Sequence, residues 1–188
     1  MQDEVLDFWF GRPGTAEYGT TRDFWFRKDA AFDAELRSRF GTMIETALGG
    51  GFETWSSPRG ALARILLLDQ FARNSFRDTP RAFAGDALAL AIAEEAVARG
   101  HDRSLEAVER WFMYMPFQHA ESLAAQERAV ALFRALSDDA GLASPLPFAE
   151  RHAAVIRRFG RFPHRNAILG RDSTPEELAF LAQPGSRF

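Results

Sequence analysis

Four polar side chains interrupt a segment that is otherwise strongly apolar. When residues 61–76 are projected at 100° per residue, as in an α-helix, Asp69 and Arg73 fall in the middle of a broad apolar arc. Gln70 and Asn74 form a second polar pair on the adjoining face. A buried carboxylate or guanidinium costs several kcal/mol unless it is paired and hydrogen-bonded. The four residues therefore either form an internal ion pair that fixes helix packing and ties down nearby loops, or line a pocket and contact a ligand.

A second polar group follows the aromatic segment 110–117 and consists of Gln118, His119 and Glu121. Pro116 predicts a helix boundary, so that the group lies at the start of the next helix, where the helix dipole favours Glu121. A histidine such as His119 can act as acid, base or ligand near neutral pH. The alternative is a capping glutamate beside a hydrogen-bonded histidine.

The third group lies in residues 151–171, which contain six arginines, two histidines and no aspartate or glutamate. Its candidate functional residues are Arg161, His164, Arg165 and Asn166. Arginines can hold a phosphate or carboxylate with two parallel hydrogen bonds, which predicts an anion site. The alternative is that they pair with acidic residues of packed helices. The candidates for such pairing are Glu94, Glu95, Glu106 and Glu109.

Charge and length limit the class of protein. The chain of 188 residues carries 23 lysines and arginines against 26 aspartates and glutamates, a net charge of -3. One short basic patch neutralises few phosphates, so nucleic acid is the least favoured partner. No secretory signal is recognisable, and no run approaches the roughly 18 apolar residues that span a bilayer. We expect one domain over residues 1–188, in the cytoplasm, with no membrane or nucleic-acid partner.

Several kinds of catalytic chemistry have no support in the sequence. The chain has no cysteine, which excludes disulfides, thiolate catalysis, zinc ribbons and iron–sulfur sites. It contains no Walker loop, no G-x-G-x-x-G and no G-x-S-x-G motif. The histidines show none of the spacings typical of metal sites. They are His101, His119, His152 and His164. We therefore predict neither a cofactor nor a metal site.

Helical periodicity recurs along the whole chain, while the alternating pattern of β-strands is missing. Glycines, prolines and capping residues divide the chain into seven or eight helices with short connections, which predicts an all-α fold of stacked antiparallel pairs. The predicted helices cover residues 3–10, 23–48, 57–76, 80–99, 104–114, 121–136 and 147–159, with a last short helix after Thr174. The alanines predicted to let a neighbouring helix approach the fourth helix are Ala84, Ala87, Ala91 and Ala98.

Five ordered segments carry a family resemblance. They are VLDFWFG (residues 5–11), WF (25–26), LLDQFARN (67–74), YMPFQHAE (114–121) and FGRFPHRN (159–166). From Val5 to about Leu181 the chain resembles an uncharacterised bacterial family, the domain-of-unknown-function family number nine-twenty-four. The resemblance implies an all-helical, tetratricopeptide-like fold with irregular repeats. It implies no established reaction, substrate or cofactor, so no catalytic residue is carried over.

Two hypotheses of function follow. The first is a helical binding or interaction protein, whose polar pocket binds a small anionic ligand or a peptide. The second is a small cytoplasmic enzyme acting on a phosphorylated or carboxylated metabolite, with His119 or His164 as acid or base and arginines holding the anion. Both require the three polar groups to converge. The candidate ligand-binding residues are Asp69, Gln70, Arg73, Asn74, His119, Glu121, Arg161, His164, Arg165 and Asn166.

Overall fold

The computed structural model describes residues 1–186, and these fold into eight α-helices without a β-strand, which confirms the predicted all-α class. The helices are α1 (Gln2–Phe10), α2 (Ala30–Leu48), α3 (58–75), α4 (Asp86–Ala98), α5 (Ala107–His119), α6 (Leu123–Ala140), α7 (Leu146–Phe159) and α8 (Pro175–Leu181). Short 3-10 turns cover Asp23–Phe26, Pro80–Phe83, His101–Ser104 and Pro163–Arg165. None of the described helices is both long and apolar enough to cross a lipid bilayer.

Helix α3 is the centre of the fold, and its middle is a π-helix. The Ser57 hydroxyl caps it by accepting a hydrogen bond from the N–H of Gly60. The helix is α-helical over Pro58–Ile65, widens to a π-helix over Leu66–Phe71 and ends over Ala72–Ser75. All six residues of the π-helix are buried, as the sequence predicts for this segment. Helices α1, α2, α4 and α5 pack around it.

Aromatic side chains fill the space between α1, α3 and α5. The ring of Trp9 lies 5.4 Å from that of Phe71 and 5.5 Å from that of Phe112, measured between centroids. Trp25 donates its indole N–H to the carbonyl oxygen of Trp9 at 3.0 Å. Such rings bury large apolar areas. They fix the π-helix of α3 from one side.

The second half of the chain forms neighbouring helices joined by short connections. Residues 120–122 join α5 to α6, and residues 141–145 join α6 to α7, so successive helices run antiparallel and pack along each other. The left-handed backbone of Gly160, with φ of 72°, ends α7. Thr174 caps α8 through the N–H of Glu177. Both ends agree with the sequence prediction, while a tetratricopeptide-like repeat stays a prediction.

The second predicted helix, over residues 23–48, begins too early. Residues Asp23–Phe26 form a separate 3-10 turn, and α2 starts after Asp29. The Asp29 carboxylate accepts hydrogen bonds from the N–H groups of Ala31 and Phe32, which stabilises the helix start at that point.

The fourth predicted helix also begins too early. In addition, it packs against its neighbour with a different face from the one predicted. Residues Pro80–Phe83 form a separate 3-10 turn, and α4 starts after Gly85. Four alanines are predicted to pack against a neighbouring helix, but all of them are exposed: Ala84, Ala87, Ala91 and Ala98. The alanines that are buried instead are Ala89, Ala93 and Ala96. The reason is that α4 packs on α3 with the face that also carries Ile92.

Pro116 does not end its helix. The sequence predicts a boundary there, but α5 continues to His119 with the proline inside. An internal proline removes one hydrogen bond and costs about 3 kcal/mol. Residues 111–118 are all buried, and their packing outweighs that cost. His119 therefore lies in the last turn of α5 rather than at the start of the next helix.

Candidate functional site

Asp69 and His119 are joined in the interior of the protein. Asp69, in the π-helix, has no exposed surface. The Nδ1 atom of His119 lies 2.6 Å from Oδ1 of Asp69, and Gln70 donates to Oδ2 at 2.6 Å. Arg73 reaches Oδ1 at 3.5 Å. The predicted contact between Asp69 and Arg73 exists, but His119 and Gln70 hold the carboxylate more closely.

The two joined groups differ in protonation. Burial opposes ionisation of Asp69, but the charge of Arg73 and the hydrogen bonds from His119 and Gln70 outweigh burial and hold the pKa of Asp69 below its usual 3.8. Burial also lowers the pKa of His119 below 6.5. Near neutral pH, Asp69 is a carboxylate and His119 a neutral imidazole. Because a carboxylate only accepts hydrogen bonds, Nδ1 of His119 carries the proton and donates it, and Nε2 keeps its lone pair.

A chain of charges continues from Asp69 towards α4. Arg73 donates to one oxygen of Asp86 at 2.6 Å, and Arg165 donates to the other at 3.0 Å. Arg165 also donates to the carbonyl oxygen of His119 at 2.9 Å. Burial and the charge of Arg73 lower the pKa of Arg165 to about 10, so the guanidinium is still charged near neutral pH. We call Asp69, Arg73, Asp86, His119 and Arg165 the pocket cluster.

Two phenylalanine rings hold Arg165 in place. Its guanidinium carbon lies 4.7 Å from the ring centroid of Phe83 and 4.5 Å from that of Phe162. The guanidinium carbon of Arg73 lies 5.2 Å from the centroid of Phe83. Aromatic faces attract cations at these distances. Phe83 therefore contacts both arginines of the cluster.

A pocket of about 530 Å³ opens beside the pocket cluster. Its apolar walls are Pro80, Phe83, Ala84, Ala87, Leu90, Ala120 and Leu169, and its polar positions are Asp86, His119, Glu121, Ser122 and Arg165. The side chain of His119 is 12% exposed. His119 belongs to the pocket lining, and the ring edge opposite the bonded Nδ1 carries Nε2. No hydrogen bond within residues 1–186 occupies Nε2.

A second cluster of charges lies towards the C-terminal end. Glu177 accepts two hydrogen bonds from Arg161, at 2.7 and 2.8 Å, and one from Asn166 at 3.2 Å. Glu121 accepts two from Arg171, at 2.6 and 2.9 Å. Arg171 also donates to Oδ1 of Asn166 at 3.0 Å. We call Glu121, Arg161, Asn166, Arg171 and Glu177 the tail cluster.

The carboxylates of the tail cluster are ionised and fully engaged. Hydrogen bonds from Arg161 lower the pKa of Glu177 to about 2. Burial opposes ionisation of Glu121, but hydrogen bonds from Arg171 and from the N–H of Phe162 lower its pKa below 4.5. Each oxygen of both carboxylates accepts at least one hydrogen bond. The helix dipole expected to hold Glu121 is therefore replaced by these direct contacts.

The ten residues predicted from the sequence divide between several places. Those gathered at the pocket cluster are Asp69, Gln70, Arg73, His119 and Arg165. Those in the tail cluster are Glu121, Arg161 and Asn166. Asn74 does not pair with Gln70 but accepts a hydrogen bond at 2.6 Å from Arg77, which also binds Asp33 of α2. His164 lies beside Phe162, with ring centroids 5.6 Å apart, and outside the pocket lining.

Sequence reasoning missed Asp86 and Phe83. Asp86 joins the two arginines of the pocket cluster, and Phe83 forms part of its wall. The sequence pattern predicts both inside one continuous helix. The pair Gly85-Asp86 is the signal that could have found the true start, because a glycine cap followed by an acidic first turn is typical of a helix N-terminus.

Within the described residues, four of the six arginines of residues 151–171 pair with acids, but not with the acids expected, and they are Arg158, Arg161, Arg165 and Arg171. Their partners are Asp86, Glu121, Glu176 and Glu177. Of the expected partners, Glu109 binds Arg59 and Glu95 binds Arg99, each at 2.7 Å. The reason is that the segment folds against its own C-terminal neighbours and the start of α4, rather than along the outer face of α4 and α5.

Histidine, aspartate and glutamate residues that could bind a metal are present, but in the described part of the chain they do not cluster into a possible metal site. Across residues 1–186, no three histidine, aspartate or glutamate side chains meet in an arrangement that could hold a metal ion. Asp69 and His119 bind each other and supply two of the three or more ligands that such a site needs.

Comparison with known proteins places this chain in a family. A family model described as a bacterial protein of unknown function (DUF924) matches residues 5–185. The chain belongs to this family. A solved structure of a protein of unknown function from Agrobacterium tumefaciens is 43% identical to it over 96% of each chain, with a TM-score of 0.84. Among curated proteins, none matches. The match with the solved structure confirms the fold class.

Proposed function

We infer that the protein binds a small uncharged molecule in the pocket beside His119. The apolar body of the ligand lies against Phe83, Leu90 and Leu169, and a hydroxyl group donates a hydrogen bond to Nε2 of His119. The observation that carries this proposal is an imidazole nitrogen with an available lone pair at the wall of a pocket of about 530 Å³. Pockets of about 300–1,000 Å³ with apolar walls and few polar groups are typical of small-molecule sites.

The pairing of charges favours an uncharged ligand over the anion expected from the sequence. Asp86 already accepts hydrogen bonds from Arg73 and Arg165, and Glu121 accepts from Arg171. An anion would have to displace Asp86 from its arginines and would approach two carboxylates on the pocket wall. Breaking such partly buried pairs is costly.

A single pocket of this size also favours a small molecule over a peptide. Stable protein partners normally bury about 800 Å² on each side. Here the apolar residues converge around one concavity next to the pocket cluster. The cytoplasmic location and the single domain over residues 1–188 remain parts of this proposal, and cell fractionation and limited proteolysis test them.

The ligand class is tested by a thermal-shift comparison of matched probes. p-Cresol and 1-hexanol are the uncharged probes, and p-toluate, hexanoate and phenyl phosphate are their anionic counterparts. A ligand at 100 times its Kd adds about 2.7 kcal/mol to the free energy of unfolding. We expect the uncharged probes to raise Tm and the anions to leave it unchanged. Stabilisation by the anions alone would contradict the uncharged ligand and support an anion site.

The place of binding is tested by two matched substitutions on α4. Ala87 is exposed and lines the pocket, whereas Ala91, one turn further, is exposed and lies outside the lining. Ala87→Trp fills the pocket and is expected to abolish the shift caused by p-cresol. Ala91→Trp adds the same side chain elsewhere and is expected to leave it. A shift that survives Ala87→Trp would overturn the proposed site.

A further inference from the structure

His119 has the arrangement of a general base. A carboxylate bound to one ring nitrogen fixes the tautomer and stabilises the imidazolium that forms when the other nitrogen takes a proton. In this protein Asp69 holds Nδ1 at 2.6 Å, and His119 itself lines the pocket. His119 is the one histidine in the lining of this pocket, as far as the described residues go. The Nδ1 atom of His152, by contrast, lies 2.7 Å from the carbonyl oxygen of Phe148.

The local backbone of Asp69 is also unusual. The carboxylate sits in the π-helix Leu66–Phe71, and it is fully buried. π-Helical turns inside α-helices are rare and occur frequently at functional sites. An ion pair that only fixed helix packing would need no pocket beside it. Here His119, the partner of the buried carboxylate, is part of a pocket wall.

We propose that His119 is the general base in the hydrolysis of small uncharged carboxylic esters, with Asp69 as its positioning residue. The proposal rests on the proposed function, because the ester must occupy the same pocket. A water molecule gives a proton to Nε2 while its oxygen attacks the ester carbonyl carbon. The bond from that carbon to the leaving oxygen then breaks, and the leaving oxygen takes the proton from Nε2. The products are a carboxylic acid and an alcohol, and His119 returns to its neutral form.

The charges around the pocket suit an ester more than its products. Its apolar walls accept an uncharged substrate. The acid product ionises and meets Asp86 and Glu121 on the pocket wall. A neutral molecule is therefore held, and the anion formed from it is released. Because the chain has no cysteine, no thiolate nucleophile competes with this route.

The test measures release of p-nitrophenolate from p-nitrophenyl butyrate by the purified full-length protein. General-base catalysis contributes about 100-fold or more to rate, so we expect His119→Gln to lower kcat/KM by at least that factor. His101→Gln is the matched control, because His101 lies outside this pocket; it is expected to keep the rate. We also expect Ala87→Trp to abolish turnover and p-cresol to inhibit it competitively. Equal rates in wild type and His119→Gln would overturn the proposal.

Binding of p-cresol is measured on the same samples to separate the two proposals. If p-cresol binds and the ester is not hydrolysed faster than by His119→Gln, base catalysis fails and ligand binding stands. If p-cresol does not bind, the proposed function fails. Imidazole added to His119→Ala is expected to restore turnover above the rate given by the same imidazole without protein, which a purely structural role of His119 would not allow. Failure of both imidazole rescue and wild-type turnover contradicts the base.

Asp69 is tested by the split between kcat and KM. In Asp69→Asn the imidazole loses the carboxylate that orders it, so we expect kcat to fall by about 100-fold or more with little change in KM. If this variant does not fold, His119→Gln and the imidazole rescue decide the proposal. The acid limb of the wild-type pH profile is expected below pH 6.5, because activity requires neutral His119. The charged and titratable groups around it are Asp69, Arg73, Asp86, His152, His164 and Arg165.

Discussion

The pocket cluster and the tail cluster are both built from hydrogen bonds between arginines and carboxylates, but they differ in whether every acceptor is used. In the tail cluster, Glu177 and Glu121 each receive paired hydrogen bonds from one arginine, and every carboxylate oxygen has a donor. In the pocket cluster, Asp69 and Asp86 are satisfied in the same way, but Nε2 of His119 keeps a lone pair beside a pocket. Residue type and charge density therefore do not distinguish a structural cluster from a functional one. In the region that the structure describes, the two clusters differ in that only the pocket cluster keeps an unused hydrogen-bond acceptor in a residue that lines a pocket.

The largest expected effect is a loss of stability in mild acid, and it comes from the buried His152 and the half-buried His164, two histidines near His119. Burial lowers the pKa of His152 to about 3 and that of His164 to about 4, from 6.5. Their contribution is complete above pH 6.5 and is lost as pH falls, because the unfolded histidines take up protons first. From pH 7 to pH 5 this amounts to about 2 kcal/mol for each histidine and about 4 kcal/mol for both.

Urea unfolding at pH 7 and pH 5 measures this loss. The lowered pKa values of Glu121 and Glu177 keep the tail cluster ionised over that range, and its contribution is lost only below pH 4.5. We expect His152→Asn to lose less stability than wild type between the two pH values. A free energy of unfolding at pH 5 equal to that at pH 7 would show that these histidines are not buried in neutral form.

The next effect in size comes from a methyl group at the start of α4. In Gly85→Ala the added Cβ would collide with the backbone carbonyl oxygen of Leu68, in the π-helix. Helix α4 must then move and take Asp86 with it. We expect a loss of about 3 kcal/mol in the free energy of unfolding, together with weaker binding of p-cresol. Wild-type stability in this variant would contradict the close packing of α4 on α3.

A change in the tail cluster is expected to affect stability alone. Glu177→Gln keeps the shape of the side chain but removes the charge that Arg161 binds. Charge-assisted hydrogen bonds to a side chain that is 2% exposed contribute about 2 kcal/mol. Urea unfolding is expected to show that loss, while p-cresol binds as in wild type. Loss of p-cresol binding would mean that the two clusters are not separate in function.

The smallest expected loss of stability comes from Gly160→Ala at the end of α7, which adds the same methyl group as Gly85→Ala. Gly160 has a left-handed backbone with φ of 72°, and a methyl group added there would have no neighbouring heavy atom within 4 Å. Gly160→Ala therefore adds backbone strain without a collision and is expected to cost about 1 kcal/mol. Its p-cresol affinity should equal that of wild type. A larger loss of the free energy of unfolding in Gly160→Ala than in Gly85→Ala would contradict the closer packing at Gly85.

Helix content follows from local sequence signals, and the exceptions have physical causes. Ser57, Thr174 and Gly160 mark helix ends that the structure confirms. The two 3-10 turns before α2 and α4 are predicted as helix because their residues continue the apolar pattern. A boundary is predicted at Pro116 because local rules penalise an internal proline. Burial of residues 111–118 overrides that rule, and burial is a tertiary property.

Local sequence signals identify only part of the candidate site. Asp69 and Arg73 can be found because they stand on an apolar helix face. Their meeting with His119, 50 residues from Asp69 in the chain, depends on how α5 packs on α3. The role of Asp86 depends on two arginines that come from different elements. Arg161 and Asn166 carry the same sequence signal as Arg165, and only the fold sends them to the tail cluster.

The protonation state of His119 tests the account most directly. Nitrogen-15 NMR of uniformly labelled protein at pH 7, assigned by comparison with His119→Gln, reports which ring nitrogen carries a proton. We expect a neutral imidazole with the proton on Nδ1, and an Nε2 signal that shifts when p-cresol is added. An imidazolium, or a proton on Nε2 of the neutral ring, would contradict it.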